Sequence, residues 1–537
     1  MSRWSSQFKS YLTTGGEPMY AVDFVTGADF RNDRLKRDRY ILHSHGGPIG
    51  DQHIGHAVQR VTSSGQSVSL RTWRSSAGGL SVDLSGADVA QFVARAIPRG
   101  MMAQLKIGFE GMPFNQWGAV GLYQFRGLSG SDNSWRMDFN DALSALQATP
   151  GASTTSRFMY EAGETTTLTS PWNTTDVTMA VDDTDDFERD DSAGARGLLY
   201  CQPTTGDPFY LKWSGKTSNQ FTVDTTNVIG TTRVNMASGD TVTSIAYVHD
   251  IVPDVRDMIL FGGLAGASTM PTNWSMGINY HGVETVNAGD LNEWRARWLF
   301  YADFEADFFT SQPLENPYRG LEEFLAKFGT WLVIKEGALS WRFVQAIVPF
   351  GLLGAIGASI THEITDQDIA SEQTYSLYNS DCPVEYYAIR FAGDTTLHKD
   401  GPSSTPANTD PAQFVYEHES ASVVFDEGTA TSNRANGSYN TRQRLAPWYT
   451  RIPDSMKLVL SSWKFADLVP GDVVSLKSDY IYDMINGIDL ALIGGGGGSG
   501  SRTHDGTPYM VTAVDVDWDG FTVNVELSTP PYSETRF

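Results

Sequence analysis

PLENPYRGLEEFLAKFGTWLVIKEGALSWRF, running from Pro313 to Phe343, decides how this chain is read. Pro313, Leu314, Asn316 and Pro317 lead into a segment where Leu321, Phe324, Leu325 and Phe328 fall at helical spacing on one face. Gly329 supplies the stop. Trp331 to Ile334 and Ala338 to Phe343 then flank the turn Lys335-Glu336-Gly337, which predicts a β-hairpin. A helix that feeds a hairpin this directly leaves no room for a catalytic loop, so the stretch is a packing unit inside a β-rich chain.

Outward from that hairpin, composition points the same way. The chain has 537 residues, too many for one hydrophobic core, and roughly three to five compact units are expected. Its 52 glycines and 12% aromatics, with only 19% charged residues, fit strands and turns better than long helices. The expected fold class is mainly β with minor α, in several domains.

The formal charge of −24 repels nucleic acid and anionic membrane at a distance, which argues against a DNA-reading role. The same sign suits a wall past which DNA slides without sticking. Two cysteines, Cys201 and Cys382, cannot build a disulfide framework, and assembly in a reducing cytosol is expected. Met1 to Tyr20 has no apolar core of signal-peptide length. The apolar run Phe343 to Ile360 approaches membrane-spanning length but contains Pro349, Gly351, Gly354 and Gly357, so a buried or interface-covered loop is favoured over a spanning helix.

Along the chain, residues 1–150 read as a first β unit, with strands at Met19–Phe24, Gln104–Phe109 and Trp117–Gly127 and a short helix from Asn140 to Gln147. Residues 151–250 are Thr-rich and turn-rich, a second small β unit of inserted or decorating character. Residues 251–395 form an α+β unit with candidate helices at Val252–Gly263 and Leu291–Tyr301, the helix-hairpin, and a β region opening at Ile364. Residues 396–455 have linker and loop composition, and 456–537 are β again, interrupted by the flexible insert Gly494 to Ser501.

Four of the ten histidines, His43, His45, His53 and His56, fall close together, with Gly46, Gly47, Pro48 and Gly50 able to fold the second pair back on the first. A His-x-His pair on a strand points both rings to one face, as metal ligation requires. Histidines on a polar turn are the competing reading, and a threefold axis gathering three such pairs is a further one. Apart from a metal ion at this cluster, no cofactor is expected.

Asp515, Asp517 and Asp519, with Glu526 as twelfth residue, match the spacing of an EF-hand calcium loop. The flanking residues instead alternate at strand period around Asp519-Gly520, so a hairpin with a wet acidic face is expected. The run Asp182 to Asp191 lacks the EF-hand glycine, because Glu188 stands at its place, and reads as a solvated loop. No Gly-x-Ser-x-Gly elbow, phosphate loop or His-Glu-x-x-His helix is present, so no enzyme is expected.

The order of units resembles the tail hub (baseplate hub or tail-tip) proteins of long-tailed bacteriophages and gene transfer agents. The likeness is carried by WRMDFNDALSALQ (Trp135 to Gln147), PDVRDMILFGGLAG (Pro253 to Gly266), GLEEFLAKFGTWLVIKEGALSWRFV (Gly320 to Val344), ITDQDI (Ile364 to Ile369), ADLVPGDVVSLKSD (Ala466 to Asp479) and YMVTAVDVDWDGFTVNVEL (Tyr509 to Leu527). The resemblance implies tube-like β-barrels in the first and last units and a homotrimer that adapts a sixfold tail tube to threefold tip structures. It also implies a place at the virion tail tip, assembled in the host cytoplasm. Implied neighbours are a tail tube or distal tail protein, tip or fibre proteins, a tape-measure protein, and DNA passing without sequence-specific binding. Two other readings compete: a receptor-binding tail fibre or spike holding surface glycans, and a tail-associated cell-wall hydrolase whose carboxylates show no sequence spacing.

Overall fold

The structure is a computed structural model. It describes residues 4–25, 39–46, 53–70, 72–97, 99, 101–131, 134–143, 164–185, 187, 197–225, 231–248, 306–310, 322, 325–326, 329–344, 360–376, 386–391, 398–400, 415–420, 423–425, 445, 448, 455–482 and 503–528.

Helix α1 (Ser6–Thr14) opens the chain. The Ser5 hydroxyl caps it by accepting from the Phe8 amide, and Gly15 ends it at φ +77°. Phe8 and Leu12, four residues apart on one face, are its buried side chains. Strands β1 (Pro18–Val25), β2 (Arg39–His43), β3 (His53–Ile54) and β4 (Val58–Ser63) come next. The short pair β5 (Gln66–Val68) and β6 (Ser75–Ala77) precedes β7 (Leu80–Leu84), helix α2 (Ala87–Ala96), β8 (Met102–Phe109), β9 (Gly118–Ser131) and β10 (Ser134–Asp141). Eight of these strands make one sheet in the order β3-β2-β1-β8-β9-β10-β7-β4, antiparallel except at β2–β3. Strand β7 alternates buried and half-buried as a one-sided strand must, whereas β8 is buried almost throughout.

The expected helix over 140–147 is corrected at its start by the register, while Ala142 and Leu143 follow in a 3-10 turn. Asn140 pairs with Gln124 and Asp141 with Tyr123, so cross-strand pairing takes these residues into β10. Residues 144–147 lie outside the described residues.

The next strands are β11 (Thr165–Thr167), β12 (Thr178–Ala180), β13 (Gly197–Gln202), β14 (Phe209–Thr217), β15 (Gln220–Val223) and β16 (Thr241–Val248). They close around their own core of Leu168, Trp172, Met179, Leu199, Phe209, Leu211, Trp213, Phe221 and Val242. Their sheet continues through β17 (Ala306–Thr310) to β25 (Val423–Phe425).

The expected hairpin is present as β18 (Thr330–Lys335) and β19 (Ala338–Phe343), turning at Glu336 and Gly337. Before it, Glu322, Leu325 and Ala326 are helical, with Leu325 buried. Strands β20 (Ile360–Thr365) and β21 (Ile369–Ser376) bracket a sheet completed by β26 (Ser455–Leu460), β27 (Val473–Tyr482), β28 (Thr503–Asp517) and β29 (Thr522–Ser528), in the order β20-β27-β28-β29-β26-β21. Strands β22 (Tyr386–Phe391), β23 (His398–Asp400) and β24 (Val415–Ser420) form a separate three-stranded sheet.

The expected helices at 252–263 and 291–301, most of the 343–360 run and the 494–501 insert lie outside the described residues, whereas the expected linker and loop region at 396–455 contains the strands β23, β24 and β25. Among the described residues, no helix is long and apolar enough to cross a membrane.

One hydrophobic core joins the first sheet to the last. Phe8, Val22, Phe24, Leu105, Phe109 and Phe139 belong to the same cluster as Ile364, Leu458, Trp463, Tyr509, Val511 and Leu527. The pairing of β5 with β28, Ser67 opposite Ala513 and Gln66 opposite Val514, carries backbone hydrogen bonding between the two regions.

Candidate functional site

Two places in this architecture concentrate polar side chains with specific partners: the junction where the hairpin meets both sheets, and the histidine corner at β2 and β3.

At the junction, β18 is buried along nearly its whole length, so its polar groups need partners. The Gln66 carboxamide of β5 supplies two of them. Its Nε2 donates to the Ile334 carbonyl at 2.8 Å and its Oε1 accepts from the Ile334 amide at 2.8 Å, so one side chain continues the ladder. From the first sheet, Gln104 Nε2 donates to the Gly337 carbonyl at 2.9 Å. From the last region, the Pro470 carbonyl accepts from Trp331 Nε1 at 3.1 Å.

Asp472 accepts from Lys335 Nζ at 3.3 Å and Arg342 Nε at 3.0 Å, joining both hairpin strands to the turn before β27. Trp331 also stacks on Trp73, with ring centroids 5.7 Å apart, and Trp448 meets Trp73 edge-on at 5.6 Å. Two glycines make the close approach possible. At Gly337, φ +71°, a Cβ would stand 2.5 Å from Ala119; at Gly471, φ +102°, it would stand 2.6 Å from the Trp331 ring. Sequence reading found the hairpin but not Gln66, Gln104 or Asp472, which carry no local signal of contacts so distant along the chain.

A cavity of about 60 Å³ lies beside this junction, lined among others by Tyr123, Asp141, Glu336, Asp467, Asp515 and Trp518. It can hold a few waters, against the roughly 300–1,000 Å³ of ordinary small-molecule sites. Burial, and then the neighbouring Asp517, raise the Asp515 carboxyl above its ordinary value. Burial, and then Asp515 and Asp141, push the Tyr123 phenol up.

The four histidines do come together. Strand β3 runs parallel to β2, placing His53 opposite Ile41, and the return is tied by His56 N donating to His45 O at 3.2 Å and Ala57 N to His43 O at 2.9 Å. His43 is fully buried, and its Nε2 lies 3.1 Å from His53 Nδ1. The His45 ring centroid is 6.5 Å from that of His43. The His56 ring lies on Gly46, where a Cβ would come within 2.5 Å of its Nε2. Burial, then the positive forms of His53 and His45, lower the His43 pKa to about 4. Among the described residues, no three His, Cys, Asp or Glu side chains are already set around one metal position.

The remaining sequence candidates serve the local fold. Asp515, Asp517 and Glu526 lie on the β28–β29 hairpin, whose turn spans Trp518 to Phe521, longer than the two-residue turn expected. Asp517 Oδ1 accepts from the Asp519 and Gly520 amides, so this carboxylate builds the turn. In the acidic run, Asp182 accepts from the Thr167 hydroxyl and Asp183 from the Asp185 amide. Cys201 is buried, which pushes its thiol pKa up and leaves it unreactive. Cys382 lies outside the described residues.

No protein-family model matches the chain. No curated protein matches it either. Among solved structures, it is similar to a tail protein from Neisseria meningitidis MC58, at 9% identity and TM-score 0.38 over 96% of this chain and 99% of that one. It is similar also to the 43 kDa tail protein of prophage MuSo2 from Shewanella oneidensis, at 10% identity and TM-score 0.36 over 88% of this chain and 98% of that one. A chain of a native gene transfer agent virion matches at 14% identity and TM-score 0.20, covering 45% of this chain and 83% of that one. These three similar structures are a tail protein, a prophage tail protein and a chain of a virion. At TM-scores of 0.38 or less, function has to be sought in the chain's own residues.

Proposed function

We propose that this chain is a structural, non-enzymatic protein of a phage-type tail. In this reading it is the homotrimeric hub of the tail tip or baseplate, joining the tail tube to distal tip proteins around the DNA path. One observation carries the proposal: the first and last sheets share a single core and are pinned by one hairpin through Gln66, Gln104, Trp331 and Asp472. A subunit built this way offers two β units in a fixed mutual orientation. Three such subunits present six units in a closed ring, the geometry that a threefold adaptor to a sixfold tube requires. The net charge of −24 supports a lumen that DNA traverses without being trapped.

Native mass measurement and electron-microscope class averages of the purified chain, alone and co-expressed with its tail neighbours, test this. Trimeric rings with a central hole are the expected result. A hole-less elongated trimer would overturn it in favour of the receptor-binding spike. A chain that stays monomeric with its neighbours present breaks the trimer. Clearing of a peptidoglycan suspension, lost on replacing a single carboxylate, would make it the hydrolase.

A further inference from the structure

We infer that the corner formed by His43, His45, His53 and His56 is a binding site for a divalent transition-metal ion of the zinc class. His43 and His53 are its first two ligands, and His45 and His56 close it. The inference is independent of the hub reading.

The geometry begins with the pair already in contact. His43 Nε2 and His53 Nδ1 are 3.1 Å apart. Two nitrogens at that separation can both lie about 2.0–2.1 Å from one zinc-sized ion, subtending about 98° there, close to a tetrahedral or square arrangement. Beyond this contact, fully buried His43 has the His45 backbone as a polar neighbour for its ring. Ligation through Nε2 would settle the tautomer, leaving the proton on Nδ1 beside the His45 backbone.

The other two rings are held near by the backbone. His45 and His56 are joined through the His56 N to His45 O bond, and both side chains are exposed. His56 itself takes φ +52°, a left-handed conformation that a residue with a Cβ adopts at some cost. Gly46 and Gly55 allow the crowding: a Cβ at Gly55 would lie 3.0 Å from the His45 carbonyl and 3.3 Å from His43 Cε1. A set of imidazoles without carboxylates favours zinc, nickel, cobalt or copper over calcium or magnesium. Such an ion would clasp the edge strand β3 to β2 and to the return at His56, so its role is structural.

The test uses full-length, tag-free protein, stripped with chelator and titrated with Co²⁺ and then Zn²⁺. Visible absorption reports nitrogen ligation, calorimetry the stoichiometry, and thermal unfolding the linkage. One ion per chain, a visible Co²⁺ band displaced by Zn²⁺, and a raised Tm are expected. His53→Ala should weaken binding at least tenfold. The His45→Ala/His56→Ala double variant changes only exposed side chains and should do the same, which keeps the test decisive if His53→Ala fails to fold. Wild-type protein that binds Co²⁺ no more tightly than the double variant, or without a nitrogen-ligand band, would overturn the site and leave His43 and His53 as a hydrogen-bonded pair.

Discussion

The two-sheet body and the Thr-rich unit at 164–248 are both built mainly from antiparallel strands, with parallel pairs in the body at β2–β3 and β20–β27, yet they are held together in opposite ways. The body's core gathers residues from Trp4 to Phe139 and from Ile364 to Leu527 into one cluster, so the two ends of the chain must meet before either sheet is covered. The core of the Thr-rich unit closes within Leu168 to Val242. The first arrangement depends on long-range loop closure; the second closes its core locally, although its sheet is extended by β17 and β25 from farther along the chain. The difference teaches where a hub would place its load: the body fixes two β units relative to each other through one core, and the core of the Thr-rich unit takes no part in it.

The largest effect that separates the two regions is expected from Trp331→Ala. It removes a 2%-exposed ring stacked on Trp73, together with the hydrogen bond to Pro470, for a cost of about 3–5 kcal/mol. Calorimetry should show the body's transition lowered and the transition of the Thr-rich unit unmoved. A single transition that shifts as a whole would show that the Thr-rich unit has no autonomy.

The converse substitution is Leu211→Ala, in a side chain that is fully buried inside the local core. It should cost about 2–4 kcal/mol and move only the other transition. Ring assembly should be unchanged in this variant. If trimer formation fails with Leu211→Ala while the body's transition stays in place, the local unit belongs to the subunit interface.

Much of this comparison is legible in the sequence where the signal is local. The hairpin at 331–343, the alternation at Met456–Leu460 and the acidic hairpin ending in Glu526 follow from side-chain period and turn chemistry alone. Helix α1 has a readable cap in Ser5 but only a short apolar face, whereas α2 starts at Gly86 with no side-chain cap to announce it. Asn140 has the chemistry of a cap but is claimed by its pairing with Gln124, a tertiary effect that no window around it contains. The histidine corner is legible as a cluster because both arms lie close together in the chain. Its inner pair is not, since the contact of His43 with His53 depends on the parallel register of β2 and β3. The junction is least legible: Gln66 meets Ile334 and Val514 only after the chain's ends have come together.

Acid should weaken both regions, through different carboxylates. At Asp467 burial pulls the carboxyl up, but the His362 hydrogen bond at 2.7 Å and its charge hold it below the ordinary value. At Asp368 burial is likewise outweighed, by Lys464 and by the Thr365 amide and hydroxyl. Asp240 does the same in the Thr-rich unit, with Thr204 and the Ala237 amide outweighing burial. A folded pKa below the unfolded 3.8 means that the stabilisation is present above 3.8 and is lost as pH falls through the folded value. Both transitions should therefore hold from neutral pH to about 4 with respect to these groups, and fall below it. Asp368→Asn and Asp467→Asn should flatten the acid limb of the body alone, and Asp240→Asn that of the Thr-rich unit alone. Unchanged acid limbs would assign the loss to other groups.

The smallest effect is expected where the two readings of the last hairpin differ most. Glu526 faces Lys457 across β29 and β26 at 3.5 Å, with both side chains substantially exposed. As a surface ion pair it contributes ~0.5 kcal/mol or less, so Glu526→Gln should leave the body's transition nearly in place, with or without calcium. In a calcium loop the same residue would be the bidentate twelfth ligand, and its loss would abolish a calcium-dependent rise in Tm. The backbone favours the first outcome, because Val525 pairs with Val514 and Asn524 with Asp515 in a continuous ladder. Asp517 is committed to its own turn. A calcium-dependent Tm that disappears in Glu526→Gln would break the hairpin reading at its most exposed point while leaving the shared core of the two sheets untouched.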